Sequence, residues 1–180
     1  MASTRAAKKL ASEALWDYAL RLLARRPYST AELRQKLLRR ADSPASATAV
    51  IDKLREYGLA DDARFSEAFA SARLQNQGFG PIRVLRDLRV KRVSPTVAKN
   101  AVNKTFSGVE ETDLARRYLE RKYRGHKLAE LFSDQKKLAA AYRRLRTAGF
   151  SGRTSLAVLR SYSAKAEELE DLPDEDAAQD

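Results

Sequence analysis

Basic side chains gather in three short segments of the chain, at spacings typical of helix faces. The planar guanidinium of Arg can donate two parallel hydrogen bonds to a phosphate or a carboxylate, so such groups favour contact with an anionic partner. Residues 83–92 carry five basic side chains and one acid, Asp87. The candidate contact residues are Arg83, Arg86, Arg89, Lys91, Arg92, Arg143, Arg144, Arg146, Arg153, Arg34 and Lys36.

A solvated helix face without any partner is the alternative explanation for each of these basic groups, and the residue pattern leaves it open. It is the favoured explanation for the group that ends in Arg39 and Arg40, because the helix macrodipole stabilises cations near a helix C-terminus. In the other two groups Arg is so dense that contact with an anionic partner is as strongly expected as a solvated helix face.

Catalytic and metal chemistry find little support in the composition. The chain has no Cys and a single His, His126, which excludes thiolate ligands, Cys nucleophiles and His clusters. Asp61 and Asp62 fit the start of a helix better than a metal site. The Gly-containing run at residues 78–81 lacks the preceding strand of a dinucleotide-binding loop. We therefore expect no cofactor, no metal and no enzymatic activity.

The formal net charge of +11 is unevenly distributed along the 180 residues. Residues 163–180 hold eight acids and one Lys, a net charge of −7, which leaves +18 on residues 1–162. The strongly basic part favours nucleic acid as a partner. The acidic segment is too poor in large apolar side chains to bury a core, so we predict disorder beyond about residue 170. We also expect this tail to fold back transiently on the basic surface and to compete with nonspecific nucleic acid.

Apolar residues recur at helical spacing, and one kind of helix start occurs three times. Ser29 and Glu32 form a capping box, Gly80 precedes a Pro at the first helical position, and Ser133–Asp134 follows an aromatic residue. No apolar stretch approaches the 18 residues of a membrane span, which predicts a cytoplasmic protein.

A second kind of helix start is repeated as well. Ser precedes Pro at positions 43–44 and 94–95, and Ser151 precedes Gly152 in the last copy. The copies are 51 and 57 residues apart, and the difference predicts an extra turn in the middle helix of the third unit. The pattern predicts an all-α fold of three tandem three-helix (helix-turn-helix-like) repeats in an elongated, curved array. The predicted boundaries are a basic N-terminal arm at 1–12, repeats at 13–60, 61–106 and 107–162, and an acidic disordered tail at 163–180.

Two core placements follow from the same spacing. Leu85 and Leu88 form the expected core side of the helix that follows Pro81. Trp16 is expected to be partly buried between repeats.

Several motifs resemble those of the RecX regulatory proteins. The run at 78–91, GFGPIRVLRDLRVK, is similar to that family's G-x-G-P-x-R-I-x-x-E-L-R-x-K segment, and YSTAELRQKL at 28–37 resembles its R-S-x-x-E-L-x-x-K-L start. The run LREYGLADDARF at 54–65 is similar to its L-x-x-x-G-x-x-D-D-x-R-F hinge, and Gly149–Phe150 matches the last repeat. The resemblance extends from about residue 13 to 162. One departure is Arg92, where the family usually has Gly.

The resemblance implies a modulator of the bacterial recombinase RecA. Proteins of this family lie in the helical groove of the RecA–DNA filament, inhibit RecA ATPase, recombination and SOS-linked activities, and also contact DNA. The implied partners are RecA and single- and double-stranded DNA bound without sequence preference, with no membrane, and the expected form is a monomer. A helix-turn-helix DNA-binding protein that acts without RecA is the alternative, although the third helices begin with residues poor in base-reading groups.

Overall fold

The computed structural model describes residues 9–169, and these residues fold into helices, which confirms the all-α prediction. A π-helical turn, Arg73–Gln77, extends the fourth helix, and a 3₁₀ helix, Ala164–Leu169, follows the last. Within residues 9–169 no helix has the length and apolar character needed to cross a bilayer. The α-helices are α1 Ser12–Leu23, α2 Thr30–Leu38, α3 Pro44–Glu56, α4 Asp62–Ala72, α5 Pro81–Val90, α6 Pro95–Phe106, α7 Glu111–Lys122, α8 Leu128–Leu131, α9 Gln135–Thr147 and α10 Gly152–Arg160.

Four helices begin at the predicted Ser caps. The Oγ of Ser29 accepts a hydrogen bond from the Glu32 N–H at 3.1 Å, and the Glu32 carboxylate accepts one from the Ser29 N–H in return. The Oγ atoms of Ser43, Ser94 and Ser151 each accept a hydrogen bond from the N–H three residues further on. Each cap satisfies a backbone donor that has no partner inside the helix. Local sequence therefore sets the starts of α2, α3, α6 and α10.

Aspartates cap two further helices. Asp61 Oδ1 accepts from the N–H groups of Ala63 and Arg64 at 2.8 and 3.0 Å, which confirms its expected role at the start of α4. Asp134 Oδ1 accepts from the N–H groups at 136 and 137 at the start of α9. The α9 helix has 13 residues against 10 in α5, close to the extra turn predicted for the third unit, and the short α8 precedes it.

The described residues form two compact bodies. The first comprises residues 9–68 and Leu88–Ala101, and the second comprises Phe69–Asp87 and residues 102–169. These bodies are defined by packing, whereas the predicted repeats 13–60, 61–106 and 107–162 are defined by sequence periodicity, and their boundaries stay predictions. The core of the first body includes Leu15, Ala19, Leu33, Leu37, Ala47, Val50, Ile51 and Leu54. The core of the second includes Ala115, Tyr118, Leu119, Phe132, Leu138, Tyr142, Leu145, Phe150, Val158 and Leu159.

Trp16 is half-buried as expected, but its ring contacts lie inside the first predicted repeat rather than between repeats. Its ring centroid is 5.6 Å from that of Tyr57, and the Nζ of Lys53 stands 4.5 Å from the Trp16 centroid. The reason is that α1 packs on α3, so the α1 face that carries Trp16 meets the C-terminal half of α3.

The buried stripe of α5 differs by one position from the prediction. Leu88 is fully buried as expected, together with Val84, whereas Leu85 is only half-buried. Residues four apart lie on one helix face, so the pair 84 and 88 forms the stripe and Leu85 lies at its flank.

The first residues of the predicted acidic, disordered tail at 163–180 are ordered. Ala164–Leu169 forms the 3₁₀ helix, in which Ala166 and Leu169 are 0% and 3% exposed in the core of the second body. The Glu168 carboxylate accepts a hydrogen bond from the Gln135 amide. The 3₁₀ helix is acidic in composition, but its two buried apolar side chains pack it against the core of the second body. The disorder predicted beyond residue 170 lies outside the described residues.

Residue 10, within the basic arm predicted for residues 1–12, is hydrogen-bonded to the rest of the first body. The Leu10 N–H donates to the Arg40 carbonyl at 2.7 Å, and the Leu10 carbonyl accepts from the Asp42 N–H at 3.0 Å. These two bonds tie residue 10 to the segment between α2 and α3. Residues 1–8 lie outside the described part of the chain.

Candidate nucleic-acid interface

In the second body the start of α5 lies directly against the end of α9. The Gly80 N–H donates to the Ala148 carbonyl at 2.9 Å, and the Ile82 N–H donates to the Gly149 carbonyl at 3.2 Å. These bonds use carbonyls that the end of α9 cannot satisfy internally. They place the first turn of α5, with Arg83, at the C-terminus of α9.

Arg83 and Arg86 both reach the last carbonyl of α9. Arg83 Nη1 and Arg86 Nη2 donate to the Thr147 carbonyl at 3.2 and 3.4 Å. Arg83 Nε also donates to Asp87 Oδ1 at 2.9 Å, and Arg73 Nε lies 3.4 Å from the other oxygen of that carboxylate. Cations near a helix C-terminus are stabilised by the macrodipole. Arg83 is thus largely committed to contacts within the protein.

The basic residues of α9 and α10 divide into exposed and engaged ones. Arg143 and Arg153 are exposed and form no ion pair with any of the residues that the structure describes. Arg144 is exposed with its guanidinium 5.5 Å from the Tyr123 ring centroid. Arg146 is half-buried and donates to the Phe150 carbonyl at 2.9 Å. The first three are available to an anionic partner, whereas Arg146 stabilises the turn between α9 and α10.

The buried phenol of Tyr118 lies near several Arg side chains of the second body. Burial raises the pKa of the Tyr118 side chain, and the guanidiniums of Arg144, Arg121 and Arg83 act on this pKa in the opposite direction. The Tyr118 ring packs edge-on against Phe150, with centroids 5.7 Å apart. Guanidiniums from α5, α7 and α9 therefore lie near this ring in the second body.

In the first body Lys91 is held by the start of α2. Its Nζ lies 2.8 Å from Glu32 Oε1, and its carbonyl accepts a hydrogen bond from Ser29 Oγ at 2.6 Å. Arg26 Nη1 lies 3.8 Å from the other oxygen of Glu32. The Lys91 side chain is about one-quarter exposed. Lys91 therefore joins the end of α5 to α2, and its side chain is already paired with an acid.

Three other candidates in the first body are exposed. Arg34, Arg89 and Arg92 have no carboxylate partner among residues 9–169. Lys36 is half-buried with its Nζ 5.4 Å from the Tyr28 ring centroid. Exposed guanidiniums without an internal carboxylate can bind phosphate oxygens without first breaking an ion pair.

The candidate residues thus fall into two sets, one in each body. The structure brings Arg83 and Arg86 to the end of α9, and it brings Lys91 to the start of α2, where these three side chains contact the protein itself. The candidates whose guanidiniums are exposed are Arg34, Arg89 and Arg92 in the first body and Arg143, Arg144 and Arg153 in the second. Such a distribution suits many modest contacts with a polyanion rather than one tight pocket.

Sequence reasoning missed Arg117 and Arg121 on α7. Both line a cavity of about 540 Å³ in the second body, together with Gly78, Glu110 and Asp113. Arg121 donates to the Gln77 carbonyl and so caps the π-helical turn. The spacing of four residues between Arg117 and Arg121 was a usable signal for a shared face, whereas the π-helical turn has no counterpart in the apolar pattern.

Known proteins place this arrangement in a family. The RecX regulatory protein from Xanthomonas oryzae pv. oryzae (strain MAFF 311018) is 34% identical over 142 residues, which cover 79% of this chain and 84% of that protein. The chain belongs to the RecX family. Residues 16–54 match the family model described as the first three-helix domain of RecX, and residues 61–102 match the second.

Other RecX proteins extend the comparison. The regulatory protein RecX from Halorhodospira halophila (strain DSM 244 / SL1) is 46% identical over 87 residues, and this match spans about half of that relative, 53%. The crystal structure of RecX from Lactobacillus salivarius superimposes with a TM-score of 0.70 at 19% identity, covering 84% of this chain and 96% of that one. The RecX fold therefore covers most of the chain, and the relatives carry the name of regulatory proteins.

Proposed function

We propose that this protein is a regulator of RecA that binds the RecA–DNA filament in its helical groove. Bound there, it lowers RecA ATPase, recombination and SOS-linked activities, and it contacts DNA as a second ligand. The observation that carries the proposal is membership of the RecX family over 142 aligned residues. The protein acts without a cofactor, as a cytoplasmic monomer.

The distribution of exposed guanidiniums supports a polyanionic partner. Of the candidate residues, three exposed Arg lie in each body: Arg34, Arg89 and Arg92 in one, and Arg143, Arg144 and Arg153 in the other. Charge-assisted contacts of this kind are individually modest and add up along a repeating array of phosphates. A nucleoprotein filament offers such an array together with acidic protein surface.

The starts of α3, α6 and α10 support DNA binding without sequence preference. A helix that reads bases presents Arg, Asn or Gln at its N-terminal positions. Here these helices begin with Pro44, Pro95 and Gly152, and their first turns offer Arg153 as the one such side chain. Contact with the phosphate backbone needs no such residues.

The proposal is tested by measuring binding to preformed RecA filaments on single-stranded DNA and, in parallel, to the same DNA without RecA. We expect tighter binding to the filament. The triple variant Arg89→Gln, Arg143→Gln, Arg153→Gln should weaken filament binding by about tenfold. The matched control Arg55→Gln changes an exposed Arg that is paired with Asp52 on α3, and it should bind as the unmodified protein does. Equal affinity for naked DNA and filament would favour the alternative, a DNA-binding protein that acts without RecA.

A further inference from the structure

The C-terminus of α5 ends in a backbone turn that normally requires Gly. The Arg92 N–H donates to the Arg89 carbonyl at 2.8 Å, and the Val93 N–H donates to the Leu88 carbonyl at 3.3 Å. Leu88 and Val93, at the two positions that commonly pack together in this kind of turn, are 0% and 4% exposed. This is the Schellman arrangement, in which the residue at position 92 takes the left-handed conformation. Arg92 has φ +57.

Other helices of the protein end in the same turn with Gly at the same position. At the end of α3, Gly58 has φ +65 and donates to the Arg55 carbonyl, while the next N–H donates to Leu54. Gly149 has φ +91 at the end of α9. Among the residues that the structure describes, Arg92 is the one non-Gly residue with positive φ. An L side chain in this conformation carries a steric cost that Gly avoids.

The surroundings hold Arg92 in this costly conformation. The preceding carbonyl, that of Lys91, accepts from Ser29 Oγ at 2.6 Å, and the Lys91 ammonium pairs with Glu32 at 2.8 Å. The following residue, Val93, is buried. The turn is therefore fixed from both sides, while the Arg92 side chain is exposed. Strain of this kind persists where neighbouring contacts over-determine the backbone, and it concentrates at functional positions.

No contact of the Arg92 side chain within residues 9–169 explains why an Arg occupies this position. Within residues 9–169 its guanidinium has no hydrogen bond, ion pair or ring contact. Arg89, one turn earlier, is also exposed and has none. The nearby acid Glu32 is already shared by Lys91 and Arg26. This end of α5 therefore carries an uncompensated excess of positive charge.

We propose that Arg92, supported by Arg89, is a contact residue for the phosphate backbone of DNA. The inference rests on the DNA-binding part of the proposed function and deepens it by naming the residue and the chemical group. A phosphodiester accepts hydrogen bonds from a guanidinium through two oxygens. Arg at position 92 thus lowers the stability of the fold but supplies a guanidinium for a phosphate contact. Gly at this position would avoid the strain but could not make that contact.

The test compares three substitutions that separate the backbone from the charge. Arg92→Gly removes both the strain and the charge, Arg92→Asn removes the charge but tolerates the left-handed conformation, and Arg92→Lys keeps the charge. The readouts are Tm and the affinity for single-stranded and duplex DNA by fluorescence anisotropy at several salt concentrations, with RecA ATPase measured separately.

We expect Arg92→Gly to raise Tm by about 2 to 4 °C and to weaken DNA binding about 3- to 10-fold at low salt. The slope of log affinity against log salt should fall by about 0.7 to 0.9, the value for one phosphate contact. Arg92→Asn should weaken binding equally, and Arg92→Lys should keep the slope.

Three results would overturn the inference. The first is Arg92→Gly binding DNA with unaltered affinity and slope. The second is unaltered DNA binding with weakened inhibition of RecA, which would assign Arg92 to a protein contact. The third is an absence of DNA binding by the unmodified protein. The RecA proposal is tested separately. It fails if the unmodified protein leaves RecA ATPase unchanged, whatever effect the Arg92 variants have on DNA binding.

Discussion

Gly149 and Arg83 are in contact so close that no side chain fits at position 149. A Cβ built on Gly149 would stand 2.2 Å from the backbone nitrogen of Arg83, and one built on Gly80 would stand 2.3 Å from the carbonyl oxygen of Gly149. The backbone at 149 also has φ +91. Two glycines 69 positions apart in the sequence thus fix the start of α5 on the end of α9.

Replacing Gly149 should therefore be severely destabilising. Gly149→Ala combines left-handed strain with a backbone clash, and we expect a loss of about 3 kcal/mol or more in the free energy of unfolding. Urea unfolding measures it. Gly58→Ala is the matched control, because Gly58 has φ +65 with open space around its Cα, so only the strain of about 1 kcal/mol applies. Equal losses in the two variants would show that the close approach contributes nothing.

Arg83 and Arg143 should respond differently to neutralisation. Arg83→Gln removes the hydrogen bonds to Asp87 and to the Thr147 carbonyl, and we expect a loss of about 1 to 2 kcal/mol in the free energy of unfolding. Arg143→Gln should stay within about 0.5 kcal/mol, because the side chain is exposed. In DNA binding the order should reverse, with the greater loss at Arg143. Equal stability of the two variants would contradict the structural role of Arg83.

Asp134 should make stability depend on pH in the acid range. Hydrogen bonds from the backbone N–H groups of Lys137 and Lys136 lower the pKa of this carboxyl. Because the folded pKa lies below the unfolded value of about 3.9, the carboxylate stabilises the fold fully above that value. Its contribution is lost as the pH falls through the folded pKa.

Asp134→Asn keeps a capping oxygen and removes the titration. The Tm advantage of the unmodified protein over this variant should be largest near pH 7 and should shrink steadily below about pH 4. Thermal unfolding between about pH 7 and about pH 2.5 measures the difference. A constant gap in Tm over this whole range would contradict a stabilising charge at this cap.

The acidic segment should compete with DNA for the basic surface. Removing residues 170–180 should raise DNA affinity, most strongly at low salt, where charges are least screened, and should leave Tm unchanged. Removing residues 163–180 is the informative comparison, because it also deletes the buried side chains of Ala166 and Leu169 and should lower Tm. If the shorter deletion leaves DNA affinity unchanged at every salt concentration, the segment does not compete.

Local features of the fold are predictable because their causes are local. The capping box of Ser29 and Glu32, the Ser43 cap and the Asp61 cap each depend on residues within one helical turn, and each forms as predicted. The repetition of these helix starts, together with the motif at 78–91, is enough for the amino-acid sequence alone to indicate the RecX family.

Contacts between distant segments are beyond the reach of the sequence. Whether Arg83 faces solvent or the end of α9 depends on Thr147, which lies 64 positions away. Lys91 depends on Glu32 in the same way, at a separation of 59 positions. A density of Arg predicts an anionic partner but does not separate the guanidiniums that hold the protein together from those that remain exposed.

RecA ATPase on single-stranded DNA, measured with and without sub-stoichiometric amounts of this protein, tests the central claim most directly. A regulator that binds the filament groove should lower ATP turnover at protein concentrations well below that of RecA, and the Arg89→Gln, Arg143→Gln, Arg153→Gln variant should inhibit less. Unchanged turnover, with the protein still shifting duplex DNA in a gel, would contradict the account and leave a DNA-binding protein in its place.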